Sequence, residues 1–149
     1  MRFNDFKDIV SRFLELNYKF EMKNGFMFKN YKDFQLVICI VKSSLGKHYK
    51  ILSNFYVPEF HSYKELISMK DCEKIFHEDL QNPENFFSNQ LLKESNDEII
   101  LYYIKNIFDK LLANINREGI NYLYNKKEKN FFSADFKEFM KFKKQSSII

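Results

Sequence analysis

The sequence predicts an α+β fold, in which an N-terminal helix and a long later helix pack on an antiparallel meander of four strands, with a fifth strand as the alternative. Three observations predict it. Residues 18–57 contain four strand-like segments separated by turn signals, residues 3–16 are apolar at helical spacing, and residues 97–117 carry a longer apolar stripe. With 149 residues the chain can form one core, so we expect a single domain with a basic C-terminal region over residues 126–149.

The N-terminal segment predicts an amphipathic helix of about four turns. The residues near its start include Asn4, Asp5 and Asp8. Capping and acidic side chains stabilise a helix at this end, where the helix dipole is positive. Its apolar positions recur every three or four residues: Phe3, Phe6, Ile9, Val10, Phe13, Leu14 and Leu16. We expect this helix to cover one face of the sheet.

The meander begins with a predicted hairpin. Residues 18–23 alternate apolar and charged side chains, with Tyr18, Phe20 and Met22 on the inward side. Asn24-Gly25 then supplies two residues that tolerate the positive φ angles of a tight turn. The strand 18–23 should therefore pair with residues 26–30.

Two longer strands complete the predicted meander. Residues 34–41 are rich in β-branched side chains and apolar on both faces from Leu36 onward, which is typical of a central strand. Residues 48–57 alternate, and Pro58 ends the run because it cannot donate to a ladder. The inward side chains of this last strand should be Tyr49, Ile51, Phe55 and Val57, and the outward ones His48, Lys50, Asn54 and Tyr56.

The second half of the chain predicts mainly helices. Residues 63–68 and 71–78 suggest short helices, and residues 120–125 a short strand or a helical continuation. Ser95 followed by Glu98 forms a capping-box pattern at the start of the long helix, and Gly119 is a suitable stop. A last short helix should start at residues 133–135 and end at Phe142, leaving residues 143–149 frayed.

No targeting or membrane segment is evident. The chain has no apolar run of about 18 residues, and acidic residues occupy the place of a signal peptide's apolar core. Its two cysteines, Cys39 and Cys72, form no disulfide framework. These features predict a soluble cytoplasmic protein.

No motif for catalysis, cofactor binding or metal binding is present. Cys72 and His77 lack the short paired spacings of zinc ligands, and Cys39 lies among apolar neighbours, where a thiol is usually inert. Residues 43–47 contain Gly-Lys but lack the rest of a phosphate-binding loop. We therefore predict a protein that is not an enzyme and has no catalytic residues, cofactor or metal.

The charge is concentrated at the C-terminal end. Seven lysines and three acidic residues lie in residues 126–144, so this region carries the whole net charge of +4. Aromatic side chains among lysines are the groups that single-strand nucleic-acid binders use. A nucleic-acid-associated protein is therefore the alternative function, with Tyr122, Tyr124, Lys126, Lys127, Lys129, Lys141, Lys143 and Lys144 as its candidate residues and Phe131 and Phe132 as further stacking groups.

Residues 3–60 resemble a family of small bacterial domains of unknown function, in which an N-terminal helix leads into an antiparallel meander. The resemblance is carried by the first helix and by Gly25-Phe26-x-Phe28, Lys42-Ser43-Ser44-x-Gly46, Tyr49-x-Ile51 and Phe55-Tyr56-Val57. Such domains are similar in size and architecture to immunity proteins of bacterial toxin systems. The resemblance implies a protein that binds one partner tightly, and it transfers no functional residues.

The predicted function is accordingly a non-enzymatic protein-binding module, an immunity or inhibitor protein of a bacterial conflict system that occludes its partner. Two exposed regions are the predicted contacts, the outward side of the last strand and the acidic segment 71–79. The residues are His48, Lys50, Asn54, Tyr56, Asp71, Glu73, Glu78 and Asp79. The oligomeric state is left open.

Overall fold

A computed structural model describes residues 2–23, 25–42, 48–61, 73–75, 86–88, 96–125 and 132–147. The α+β prediction is confirmed: an N-terminal helix and a long later helix accompany the antiparallel meander. The elements in chain order are α1 (Phe3–Tyr18), β1 (Glu21–Lys23), β2 (Phe26–Asn30), β3 (Gln35–Lys42), β4 (His48–Tyr56), α2 (Pro58–His61), β5 (Glu73–Ile75), β6 (Phe86–Ser88), α3 (Asp97–Glu118), α4 (Asn121–Tyr124) and α5 (Ala134–Ser147).

Within the described ranges the sheet has six antiparallel strands, two more than the four of the meander. The strand order is β1-β2-β3-β4, and both short strands pair with the outer edge of β4. β5 pairs along residues 53–55 and β6 along residues 48–50, so these two strands lie end to end on one edge. The expectation of a helix over residues 71–78 is wrong at Glu73–Ile75, which form β5; the rest of that segment and the expected helix 63–68 lie outside the described residues.

The first hairpin forms with the predicted pairing but a shorter first strand. Lys23 pairs with Phe26, and Gly25 has φ +83°, as a tight turn requires. β1 starts only at Glu21, because α1 continues through Tyr18 and Lys19 ends it in a left-handed conformation, with φ 59°. Tyr18 is therefore helical, and Met22, expected on the inward side, is 52% exposed on the short edge strand.

Helices α1, α3, α4 and α5 pack on one face of the sheet and share one core. α1 buries Phe6, Val10 and Leu14 as predicted, whereas Leu16 is 81% exposed. The side chains of β3 and β4 on this face, among them Leu36, Ile38, Ile51 and Phe55, belong to the same cluster. The remaining helical members are Ile100, Ile104, Phe108, Leu111, Leu112 and Ile115 of α3, Leu123 and Tyr124 of α4, and Phe136 and Met140 of α5.

The N-cap of the long helix lies one residue later than the sequence pattern predicted. Asn96 is the N-cap, and its side-chain Oδ1 accepts a hydrogen bond of 3.0 Å from the backbone N–H of Ile99. Ser95 lies outside the described residues. Gly119 ends the helix as predicted, with its N–H bonded to the Ile115 carbonyl at 2.7 Å.

The C-terminal helix is longer than predicted. It starts at Ala134 with the Ser133 hydroxyl accepting from the Phe136 N–H at 3.2 Å, and it continues to Ser147. The expectation of a frayed end from residue 143 is therefore wrong for residues 143–147. No helix in the described ranges is both long and apolar enough to cross a bilayer.

Candidate protein-binding site

The end of α1 meets the middle of α3 at a polar groove of about 400 Å³, which we call the α1–α3 groove. The left-handed Lys19 turns the chain so that Phe20 packs on Phe108 of α3, with ring centroids 5.9 Å apart. Because of this turn, the last residues of α1 lie beside α3. The groove is lined by Tyr18, Lys19, Lys29, Asp109, Ala113 and Asn116, together with Asn17 and Leu112.

Tyr18 fastens α1 to α3 at this groove. Its hydroxyl donates to Asp109 Oδ1 at 2.6 Å, and its ring lies 5.9 Å from that of Phe108. Burial raises the pKa of the phenol, and the hydrogen bond to Asp109 and the charge of that carboxylate raise it further. The phenol is therefore a neutral donor that fixes the Asp109 carboxylate in place.

Lys29 is the unusual residue of the groove because it stands on the core side of the sheet. Its register partner is Leu36, which in turn pairs with Phe55, and both of these side chains are fully buried. Lys29 as a residue is half-buried: its stem follows this apolar surface, and its ammonium group donates to the Tyr18 carbonyl at 2.6 Å. Lys29 thus brings a positive charge to the groove from beneath α1.

One exposed face of α3 continues from the groove to the start of the helix. We call it the α3 outer face; its members recur every three or four residues and are Ile99, Tyr102, Asn106, Asp109, Ala113 and Asn116. Tyr102 is 63% exposed and Ile99 42% exposed. The face therefore has two large apolar side chains at one end and the charged groove at the other.

The outward side of β4 differs from its prediction. Asn54 and Tyr56 are only 3% and 1% exposed, so the expectation that they form an exposed surface is wrong. Tyr56 packs with Phe26 and Val37 in a second apolar cluster and stacks on the His61 ring, 5.1 Å between centroids. Lys50 is half-buried, and the side chain of His48 lies outside the described residues.

The predicted acidic contact segment is described only in part. Glu73 lies in β5, with Phe55 as its register partner. Asp71, Glu78 and Asp79 lie outside the described residues, so their role stays a prediction.

The aromatic side chains proposed for nucleic acid are mostly inside the core. Tyr124 and Phe132 are buried, and half-buried Tyr122 packs against the core, its ring 6.5 Å from that of Phe55. Buried rings cannot stack on bases. Phe131 and Lys126, Lys127 and Lys129 lie outside the described residues.

Two lysines of α5 lie beside acidic side chains. Lys141 lies 3.7 Å from Glu138, and Lys143 pairs with Glu59 of α2. Lys143 and Lys144 also line a cleft of about 280 Å³ with Asp33, Glu59 and Tyr124. This cleft therefore contains two carboxylates as well as two ammonium groups, which is a poor site for a phosphate chain.

Cys39 and the acidic side chains form no reactive cluster in the ranges that the structure covers. Burial raises the pKa of the Cys39 thiol, which keeps it protonated. Within those ranges no three His, Cys, Asp or Glu side chains are grouped so as to hold a metal ion.

Two further tyrosines predict how stability depends on alkaline pH. Burial raises the pKa of Tyr31 to about 12; burial, then the charges of Glu59 and Asp33, raise that of Tyr124 to about 12. A phenol with a higher pKa in the folded state stabilises the fold fully below pH 10, its ordinary value, and this contribution is lost as the pH rises through 12. Above pH 10 we therefore expect the unfolding free energy of the parent to fall relative to that of the double variant Tyr31→Phe/Tyr124→Phe. Urea titrations at a series of pH values measure it, and identical pH profiles would contradict the burial of these hydroxyls.

No family model, curated protein or solved structure matches this chain. The site is therefore interpreted from its own geometry.

The α1–α3 groove was missed by the reasoning from sequence, which placed Tyr18 in a strand. One signal was present: Met27 and Lys29 stand on the same side of a strand whose partner residues Ile38 and Leu36 are apolar. A lysine at an inward position is the kind of mismatch that often marks a functional or capping role.

Proposed function

We propose that this chain is a non-enzymatic protein-binding module, and that it uses the α3 outer face to bind and occlude one protein partner. The observation that carries the proposal is the exposure of Tyr102, with Ile99 one turn away on the same face. Tyrosine is enriched among the residues that dominate binding energy at protein interfaces. An exposed ring beside an exposed isoleucine, at one end of an otherwise mostly polar helix face, is suited to that role.

The support for α3 as a binding element is its rigidity. Six of its 22 residues are buried in the core, and both of its ends are capped. A partner that binds such a helix pays little for ordering the surface, since the backbone is already fixed. This favours tight binding by a small domain.

Within this class, an immunity or inhibitor protein of a bacterial conflict system fits best. The resemblance of residues 3–60 to small bacterial domains of that architecture supports it. The mechanism would be steric: a domain seated on its partner through the α3 outer face covers that partner's active site.

The nucleic-acid alternative receives less support from the geometry. It needs exposed rings beside unpaired lysines, whereas Tyr124 and Phe132 are buried and Lys143 pairs with Glu59. Of the described candidates, two rings are thus inside the core and one lysine has a carboxylate partner.

Photo-crosslinking from Tyr102 tests the proposal. A benzophenone amino acid replaces Tyr102 in one variant and Phe142, which is 64% exposed on α5, in a matched control. In host lysate we expect one protein to crosslink through position 102, and not through position 142, after nuclease treatment and at high salt. Equal labelling from both positions, or recovery of nucleic acid, would contradict a protein-binding α3 face.

A growth assay then tests the immunity reading. We expect the captured partner, expressed without this chain, to inhibit growth, and co-expression of the chain to restore it. The Tyr102→Lys variant should fail to restore growth while keeping its fold. A captured partner without any toxic effect would leave protein binding intact and refute the immunity role.

A further inference from the structure

We infer that the partner segment bound on the α3 outer face is acidic, and that it places an aspartate or glutamate carboxylate in the α1–α3 groove between Lys19 and Lys29. This inference rests on the proposed function, because it names the chemistry of the partner at the same surface. It comes from the charges of the groove and from their distance to Tyr102.

The first argument is the state of Lys29. Lys29 is a half-buried residue, and among the described residues the acceptor of its ammonium group is the Tyr18 carbonyl. In the described part of the chain no carboxylate lies within 4.0 Å, the limit for an ion pair, of the ammonium group of Lys29 or of Lys19. The stem of Lys29 is already held at the sheet, so pairing with a partner's carboxylate costs less side-chain entropy here than at a fully exposed lysine.

The second argument is that the groove's own carboxylate is already engaged. Asp109 accepts from the Tyr18 hydroxyl at 2.6 Å, and its other oxygen lies 3.9 Å from the Lys105 ammonium group. Among the described residues the groove is therefore lined by two ammonium groups, those of Lys19 and Lys29, and by one carboxylate, that of Asp109, which already has partners. This surplus of positive charge is complementary to an acidic side chain.

The third argument is the fixed distance between the charged and the apolar ends of the face. Ala113 lines the groove eleven residues after Tyr102 on the same helix, a rise of about 16 Å. A partner segment spans this distance with about three turns of helix or about five residues of extended chain. It should carry an apolar side chain for Tyr102 and Ile99 at one end and a carboxylate at the other.

Capping of α1 is the other role of Lys29, and it is compatible with this inference. A lysine that donates to the last carbonyl of a helix stabilises that helix end. One of its three N–H donors meets Tyr18 in this way, and among the described residues no second acceptor is recorded for it. The two roles separate experimentally because capping affects folding, whereas recognition of a carboxylate affects binding.

Selection of displayed random peptides of about 12 residues on the folded chain tests the inference, a length that spans the face as a helix. The Tyr102→Lys variant serves for counter-selection. We expect the enriched peptides to contain an Asp or Glu and an apolar residue, and their affinity to fall at least about tenfold when that Glu becomes Gln. Lys29→Met and Lys19→Met should each weaken the acidic peptide about tenfold, and Lys29→Arg should retain binding, whereas Lys141→Met on α5 should not change it.

A double-mutant cycle separates recognition from folding. If Lys29 meets the carboxylate, Lys29→Met should weaken the Glu peptide and leave the Gln peptide unchanged, both measured at a temperature at which circular dichroism shows that the variant is folded. Equal weakening of both peptides, or enrichment of peptides without acidic residues, would overturn the inference.

The outcomes also distinguish this inference from the proposed function. Peptides that need Tyr102 but no carboxylate would refute the acidic partner and leave the protein-binding face standing. Failure to enrich any peptide that depends on Tyr102 would count against both the acidic partner and the protein-binding face. Self-association that depends on concentration and is abolished by Tyr102→Lys would also count against both, because the occupant of the face would then be a second copy of the chain. If inorganic phosphate competes with the peptides, and the Glu and Gln peptides bind equally well, the inference of a bound carboxylate is overturned. The groove would then be a site for a small anion.

Discussion

Replacing Phe136 by alanine should lower the free energy of unfolding by about 3–5 kcal/mol, a large share of the stability of a domain of this size. Phe136 is fully buried, and its ring lies 5.1 Å from that of Phe60 and 5.4 Å from that of Phe132. Removing it leaves a cavity where α5 meets α2 and the core. Urea denaturation followed by circular dichroism measures the loss.

Phe142→Ala is the matched control, since it removes the same side chain from the same helix at a position that is 64% exposed. It should change the unfolding free energy by no more than about 0.5 kcal/mol. Similar effects from the two substitutions would show that α5 is not docked on the core, so that the frayed end predicted from residue 143 would extend to the whole helix.

Replacing Phe108 by alanine should have an effect of the same size, about 3–5 kcal/mol. Phe108 is fully buried in the middle of α3, and it contacts Tyr18 at the end of α1 and Phe20 just before β1, both at 5.9 Å. The cavity would therefore loosen three elements at once. Thermal and urea unfolding should both record the loss.

Tyr102→Ala controls this experiment on the same helix, because Tyr102 projects from the α3 outer face. Its effect on unfolding should stay within about 0.5 kcal/mol. A large loss from Tyr102→Ala would mean that its ring supports the fold, and would remove the basis for using it as a binding probe. A small loss from Phe108→Ala would contradict the packing of α1 on α3.

The meander was predictable because its signals are local. Alternation, Asn24-Gly25 and Pro58 lie within a few residues of the turns and strand ends they determine, and β2 and β4 begin at the predicted residues. The error at β1 has a specific cause: Lys19 ends α1 with a positive φ, a role usually filled by glycine or asparagine. Without either residue, the alternation from Tyr18 was interpreted as strand.

The site was less predictable because its residues are distant in sequence. Tyr18 and Asp109 are 91 positions apart, and only the packing of α1 on α3 brings them together. The burial of Asn54 and Tyr56 has a similar origin. Period-two alternation marks two faces of a strand, but it cannot tell that Phe26 and Val37 on the neighbouring strands would bury Tyr56.

The end of the C-terminal helix was less predictable than its start. The apolar spacing of Phe136 and Met140 predicted the helix, and both side chains are buried. Residues 143–147 continue the helix without an apolar side chain, so no periodic signal marked them as helical.

The two short strands that pair with β4 also affect how readily this protein can aggregate through the edges of its sheet. A sheet edge that is left open is a template for another chain, and β1 limits that hazard on its own side by being three residues long with Glu21 and Lys23 on it. On the other side, six of the nine residues of β4 are covered by β5 and β6 in two separate pieces. Detachment of either piece uncovers three residues of β4, half of the length that one continuous strand would release. So short a segment would offer a neighbouring chain little length on which to begin a fibril.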